Sequence, residues 1–166
     1  MKKLVIYFSH TGENYMSDGI RNIDKGNTEI VAEKIAAKTG ADLFKVETIK
    51  DYPYDYYECC AEAKKELQSQ ARPELKRYLN DLSEYDTIYI GYPIWYGTFP
   101  MALASALERL DFTDKTVKPF ATNEGSGLGN SVSDIKRLCQ NATVSDGLSI
   151  RGSDANISDN LLDSWI

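Results

Sequence analysis

The chain has 166 residues, 42% hydrophobic and 27% charged, with a formal net charge of −6 and a pI near 4.9. That length buries one continuous core and points to a single domain over residues 1–166. The negative balance repels nucleic acid and anionic membrane surfaces, so a charged macromolecular partner is expected to be basic. No stretch reaches the roughly 20 apolar residues of a membrane span, and MKKLVIYFSHTG turns polar too early for a secretory leader, so the expected location is cytoplasmic. Cys59 and Cys60 are adjacent and Cys139 stands alone, which gives no disulfide framework and no metal-ligand spacing. With His10 the only histidine, a zinc site is not expected.

Short, almost continuously apolar runs predict strands at Leu4 to Phe8, Leu43 to Val46, Thr87 to Gly91, Val117 to Thr122 and Thr143 to Ile150. Helical spacing lies between them, at Thr28 to Lys38, Tyr57 to Leu82, Pro100 to Leu110, Leu128 to Cys139 and Ile157 to Ile166. Ile30, Val31, Ile35 and Ala36 share one face of the first helix, and Gly40 stands where a C-terminal cap is wanted. Ile157, Leu161, Leu162 and Trp165 form the docking face expected of the last. Arg72-Pro73 is expected to split the long second stretch into two helices. Pro119 is expected at the start of the paired part of its strand, or at a bulge. Alternating strands and helices make a doubly wound α/β domain.

In such sheets ligands bind beyond the carboxyl ends of the strands. After the first strand come Ser9, His10 and Thr11 and then, past Glu13 to Lys25, the helix opening Gly26-Asn27-Thr28. Hydroxyls, an amide and free helix N–H groups hold a phosphate without a cation, although Asn27 or Thr28 could equally be a plain helix cap. After the third strand, Pro93-Ile94-Trp95-Tyr96-Gly97 puts two aromatic rings on an exposed loop, one for a flat ligand and one as a core plug. After the fourth, Thr122, Asn123, Glu124, Gly125, Ser126 and Gly127 lead into a glycine-rich run that exposes backbone N–H groups. Together the three loops fit a flat phosphorylated heterocycle. DYPYDYY at Asp51 to Tyr57 forms either a lip or a packed connection, and Cys59 and Cys60 read as helix residues.

At YFSHTGENY with GNTEIVAEKIA, YDTIYIGYPIWYGTFP, PFATNEGSGLGNS and IRGSD, the sequence resembles the flavodoxin family over essentially its whole length. The resemblance is to the subgroup with an insertion in the phosphate loop. It implies a five-stranded parallel sheet in the order 2-1-3-4-5, with helices on both faces and bound FMN. Its phosphate would lie on Ser9, Thr11, Asn27 and Thr28, with His10 at a variable position. Its ring would lie between Pro93–Gly97 and Thr122–Gly127, with Trp95 or Tyr96 as the stacking ring and the Gly97 peptide able to reorient towards flavin N5. The stacking tyrosine often found in the second ring loop is missing here, which leaves one flavin face more open.

The resemblance implies a flavodoxin-type electron carrier serving redox partner proteins. The missing tyrosine leans towards an FMN-containing reductase that takes hydride from NAD(P)H and passes it to a quinone or another small-molecule acceptor. No side-chain nucleophile, catalytic residue or metal is required. A phosphate receiver would need an acidic cluster after the first and third strands, where Ser9 and Tyr92-Pro93 stand. A small cysteine phosphatase would need a cysteine in the first loop, and there is none.

Overall fold

In the computed structural model, which describes residues 1–166, the chain opens with β1 (Lys2–Tyr7) and a hairpin of β2 (Gly12–Met16) and β3 (Gly19–Ile23). Then follow α1 (Asn27–Thr39), β4 (Asp42–Lys45), α2 (Tyr56–Ser69), β5 (Tyr85–Pro93), α3 (Met101–Leu107) and β6 (Thr116–Asn123). The chain ends with α4 (Ser131–Leu138), β7 (Thr143–Val144), β8 (Leu148–Arg151), a 3-10 turn at Gly152–Ile157 and α5 (Asp159–Asp163).

The main sheet is parallel throughout and runs β4-β1-β5-β6-β7, with β8 also pairing to β6. Counting β7 and β8 as one interrupted strand, this is the order 2-1-3-4-5. Successive strand side chains point to opposite faces. Leu4, Ile6, Ile88 and Ile90 meet Leu103, Leu107 and Ile135 of α3 and α4 on one face. On the other, Val5, Tyr7, Tyr89 and Phe120 meet Val31 and Ile35 of α1 and Leu162 of α5. Both faces are covered, which explains the unbroken apolar runs.

Four local expectations change. α2 ends at Ser69, where Gln70 turns left-handed at φ 50°, and no second helix follows. Pro73 disfavours helix at Arg72, and residues 74–76 instead bond to 47–49, through Ile49 N–H to Glu74 O and Lys76 N–H to Glu47 O, each 2.9 Å. Pro119 is neither a strand start nor a bulge, being paired in register with Ile90. Ser145 N–H donates to Val117 O, so odd-numbered residues of β6 face β7 and β8, and Pro119 falls in the gap between those two strands. Its missing N–H leaves no ladder bond unmade. The expected last helix is a 3-10 turn followed by the short α5. Ile157 and Leu161 are exposed, and the docking is done by Leu162 and by Trp165, whose ring packs on Tyr89 and Phe120. In α1, Ala32 rather than Ala36 is buried with Val31 and Ile35, and Gly40 caps it at φ 74°.

Glu13 to Lys25 is the antiparallel hairpin β2–β3, closed at Ser17 and Asp18 and separate from the main sheet.

Candidate functional site

The carboxyl ends of β1, β5 and β6 open on a cleft of about 400 Å³, walled also by α1, the hairpin, α2 and the start of the 3-10 turn. A groove of about 490 Å³ lies away from these strand ends, between residues 48–53, α2 and residues 71–74, with charged residues of both signs making half of its lining.

At the β1 end, the two halves of the first loop touch. A Cβ on Gly26 would overlap Ser9 Oγ and stand 2.9 Å from the His10 carbonyl oxygen, so only glycine allows α1 to start there. Ser9 Oγ accepts the Glu29 N–H at 3.1 Å, which leaves its own proton free. The N–H groups of Asn27 and Thr28, in the first turn of α1, have no acceptor in the chain. Thr28 is buried and bonded to Thr122, Oγ1 to Oγ1, at 2.7 Å. Asn27 lines the cleft, Ser9 and Thr11 line a groove on the other side of the loop, and His10 lines both.

The hairpin forms a wall pinned at both edges. Glu13 N–H donates to Tyr54 O, and Glu13 Oε1 accepts the Tyr56 N–H, both at 3.2 Å. At the far edge, Ser17 N–H donates to Ser153 Oγ at 2.9 Å, and Asn27 Nδ2 donates to Met16 Sδ at 3.3 Å.

The loop after β5 is a tight turn. Tyr96 and Gly97 have φ of 54° and 81°, and Trp95 bridges Thr98, the pattern of a type I′ turn. Trp95 is half-buried and set edge-on to Phe8, Tyr52 and His10, with centroids 5.3, 5.1 and 5.7 Å away. Tyr96 is 52% exposed at the rim. The Gly97 carbonyl accepts the Asn130 N–H at 2.7 Å, so the Tyr96–Gly97 peptide is the one left free in the turn. A Cβ on Gly129 would overlap that same carbonyl oxygen, so the glycine run serves to bring the two loops together.

After β6, Asn123 Oδ1 accepts the Gly125 and Gly127 N–H groups at 2.9 and 3.1 Å, taking up the donors the glycine run was expected to offer a ligand. Glu124 Oε1 accepts both the N–H and the hydroxyl of Ser153, at 2.8 and 2.7 Å.

The cleft is thus lined by Pro93, Ile94, Trp95 and Tyr96 from one loop and by Thr122, Asn123, Glu124 and Ser126 from the other. Gly97, Gly125 and Gly127 shape those loops without lining it. The sequence reading missed Glu13, Asn14 and Tyr15 of the hairpin, Gly152, and Tyr56, Cys59, Cys60 and Ala63 of α2. The α2 set falls at i, i+3, i+4 and i+7, one helix face. Burial pushes the Cys59 thiol up to about 12, and burial followed by the Cys60 contact does the same to Tyr56, so neither ionises near neutrality. No Lys or Arg lines the cleft.

The flavodoxin family's sequence profile matches residues 2–166. No curated protein matches the chain. Among solved structures, one described as a flavoprotein from Bacteroides uniformis ATCC 8492 is 28% identical, with a TM-score of 0.78 over 98% of this chain and 97% of that one. Another, from Bacteroides eggerthii DSM 20697, is 27% identical with a TM-score of 0.73 over 98% of each chain. A flavoprotein from Lactobacillus acidophilus NCFM, solved in complex with FMN, is 22% identical with a TM-score of 0.67 over 99% of this chain and 97% of that one. With the profile spanning all but the first residue, and the sheet order and three strand-end loops that the motifs implied, the chain belongs to the flavodoxin family.

Proposed function

We propose that the chain is an FMN-binding redox protein that passes electrons through a non-covalently held flavin. One observation carries this reading. Two buried side-chain polar atoms in the chain lack a hydrogen-bond partner, His10 Nε2 and Glu124 Oε2, and both belong to residues of this cleft. Buried polar groups are rarely left unmatched, so a ligand with both an anionic and a hydroxyl-bearing part completes them. FMN is such a ligand.

The donor set fits. The free N–H groups of Asn27 and Thr28 and the α1 dipole suit a phosphate, with the Ser9 hydroxyl beside them at the edge of the loop rather than in the cleft lining. Trp95, held by three neighbouring rings, would be the fixed aromatic wall for the isoalloxazine, and Tyr96 the exposed ring at its rim. Glu124 Oε2, buried and unpartnered, would be the acceptor for hydroxyls of the ribityl chain. FMN supplies the electron chemistry when bound; the chain binds it, orients it and sets its charge environment.

Transfer to and from basic redox proteins is the first reading, because the cleft and the chain are both short of positive charge. A reductase that uses NAD(P)H and a quinone-like acceptor is the second, favoured by Tyr15 and Tyr96, exposed rings at the cleft that suit stacking by a second flat molecule. Anaerobic mixing of the FMN-loaded chain separates them. Bleaching by NADPH or NADH alone supports the reductase; no reaction with either, but rapid exchange with a reduced basic carrier protein, supports the carrier. Exchange with none of these would defeat both.

A further inference from the structure

We propose that His10 meets the anionic end of the ligand, and that binding of a phosphate monoester dianion brings one proton from solvent onto the His10–phosphate pair. This rests on the FMN reading above and deepens it by assigning the proton balance of the same site.

Placement comes first. A Cβ on Gly26 would stand 3.0 Å from the His10 amide nitrogen and 2.9 Å from its carbonyl oxygen, so His10 sits beside the N-terminus of α1, next to the unclaimed N–H groups of Asn27 and Thr28. Its ring is held edge-on to Trp95 and Tyr52, at 81° and 86°. Nε2 is buried without a partner, and the residue stands between the cleft and the groove beyond the loop, lining both.

Charge comes second. The ionisable groups on the cleft side are Glu13 and Tyr15 of β2, Glu124 after β6, Tyr56, Cys59 and Cys60 of α2, and Tyr96 of the turn. On the other side of the loop stand Lys45, Glu47, Asp51, Tyr52, Tyr54 and Lys76. None of them hydrogen-bonds to the imidazole, and burial holds His10 below its ordinary value, neutral at pH 7. His10 is therefore the one group lining the cleft that can turn cationic near neutrality. A monoester phosphate carries close to two negative charges there. Placing it in a cleft with two carboxylates and no Lys or Arg favours uptake of a proton by the nearest base, and the resulting N–H···O bond is charge-assisted. No electron moves in this step: a proton leaves the buffer and is shared by Nε2 and a phosphate oxygen.

The test is calorimetric titration of the full chain with FMN at pH 7.5, in several buffers of different ionisation enthalpy, repeated with riboflavin and with His10→Gln. The wild-type chain is expected to take up about one proton per FMN and none per riboflavin. His10→Gln is expected to take up none and to bind FMN about tenfold more weakly, with riboflavin affinity within about twofold. FMN binding without proton uptake, equal uptake by His10→Gln, or equal uptake with riboflavin overturns the assignment. If His10→Gln does not fold, His10→Asn takes its place, and wild-type FMN binding without proton uptake overturns the assignment without any variant. Failure of FMN to bind at all is a different result, and it removes the FMN reading along with the proposal.

Discussion

Thr28 Oγ1 and Thr122 Oγ1 lie 2.7 Å apart in the core, joining the first turn of α1 to the end of β6 across 94 residues of sequence. Thr28 is 1% exposed and Thr122 4%, so the hydroxyls have little beside each other to bond. The pair fixes the spacing between the start of α1 and the loop after β6, two walls of the cleft. Thr28→Val leaves the Thr122 hydroxyl buried and unmatched, which costs about 1–3 kcal/mol. Thr28→Val with Thr122→Val removes both polar groups and is expected to recover part of that loss. Urea unfolding of the wild type, both single variants and the double variant measures the coupling.

Gly26→Ala drives a methyl group into Ser9 Oγ and towards the His10 carbonyl, so the two halves of the first loop must part. That moves the N–H groups of Asn27 and Thr28 away from the Ser9 hydroxyl. FMN affinity is expected to fall at least about tenfold, in keeping with the loss of a charge-assisted bond. Far-ultraviolet circular dichroism should be unchanged, because the substitution lies at the helix entry and outside both core clusters. A fluorescence titration with FMN checks it.

Glu29 gives a pH dependence with a definite sign. Burial favours its neutral form, but the Lys45 ammonium at 3.0 Å and the Tyr7 hydroxyl at 2.8 Å outweigh burial and hold its carboxyl below the ordinary value of 4.5. A carboxylate more acidic in the folded chain contributes stability that is complete above its unfolded pKa and is lost as pH falls through the folded one. Glu29→Gln is therefore expected to flatten the loss of stability below about pH 4.3. Thermal melts of both proteins between neutral pH and pH 3 measure the difference.

The absence of Lys and Arg from the cleft, with Glu13 and Glu124 in its walls, bears on redox potential. One carboxylate about 10 Å from a developing negative charge costs about 1.7 kcal/mol at an effective dielectric of about 20, and less once salt screens it. Over one electron that amounts to some tens of millivolts per charge. The second one-electron potential of the loaded chain is expected well below that of free FMN, and Glu124→Gln is expected to raise it. A spectroelectrochemical titration finding the chain and free FMN alike would reject this.

The sheet order and the three loops were legible because a parallel sheet covered on both faces needs continuous apolar strands, and each such strand ends abruptly in polar or glycine-rich sequence. The cleft walls were less so. The hairpin carried a signal, Ser17-Asp18 followed by Gly19 between Gly12–Met16 and the rest of Gly19–Ile23, but its short polar strands do not look like strands of a core. The spacing of Tyr56, Cys59, Cys60 and Ala63 reads as an ordinary apolar helix face, and only the fold turns it towards a ligand cleft. Asn123 holding the Gly125 and Gly127 N–H groups is a local turn, two and four residues long, that the glycine run masked; Trp165 docking on Tyr89 and Phe120 depends on contacts far apart in sequence, which local patterns do not encode.

The most direct test of the central claim is an equilibrium titration of the purified chain with FMN, following flavin and tryptophan fluorescence. The account predicts saturable binding of one FMN per chain, with flavin emission quenched against Trp95 and a yellow complex that survives gel filtration. A chain that leaves FMN fluorescence unchanged at saturating concentration and elutes colourless would contradict it.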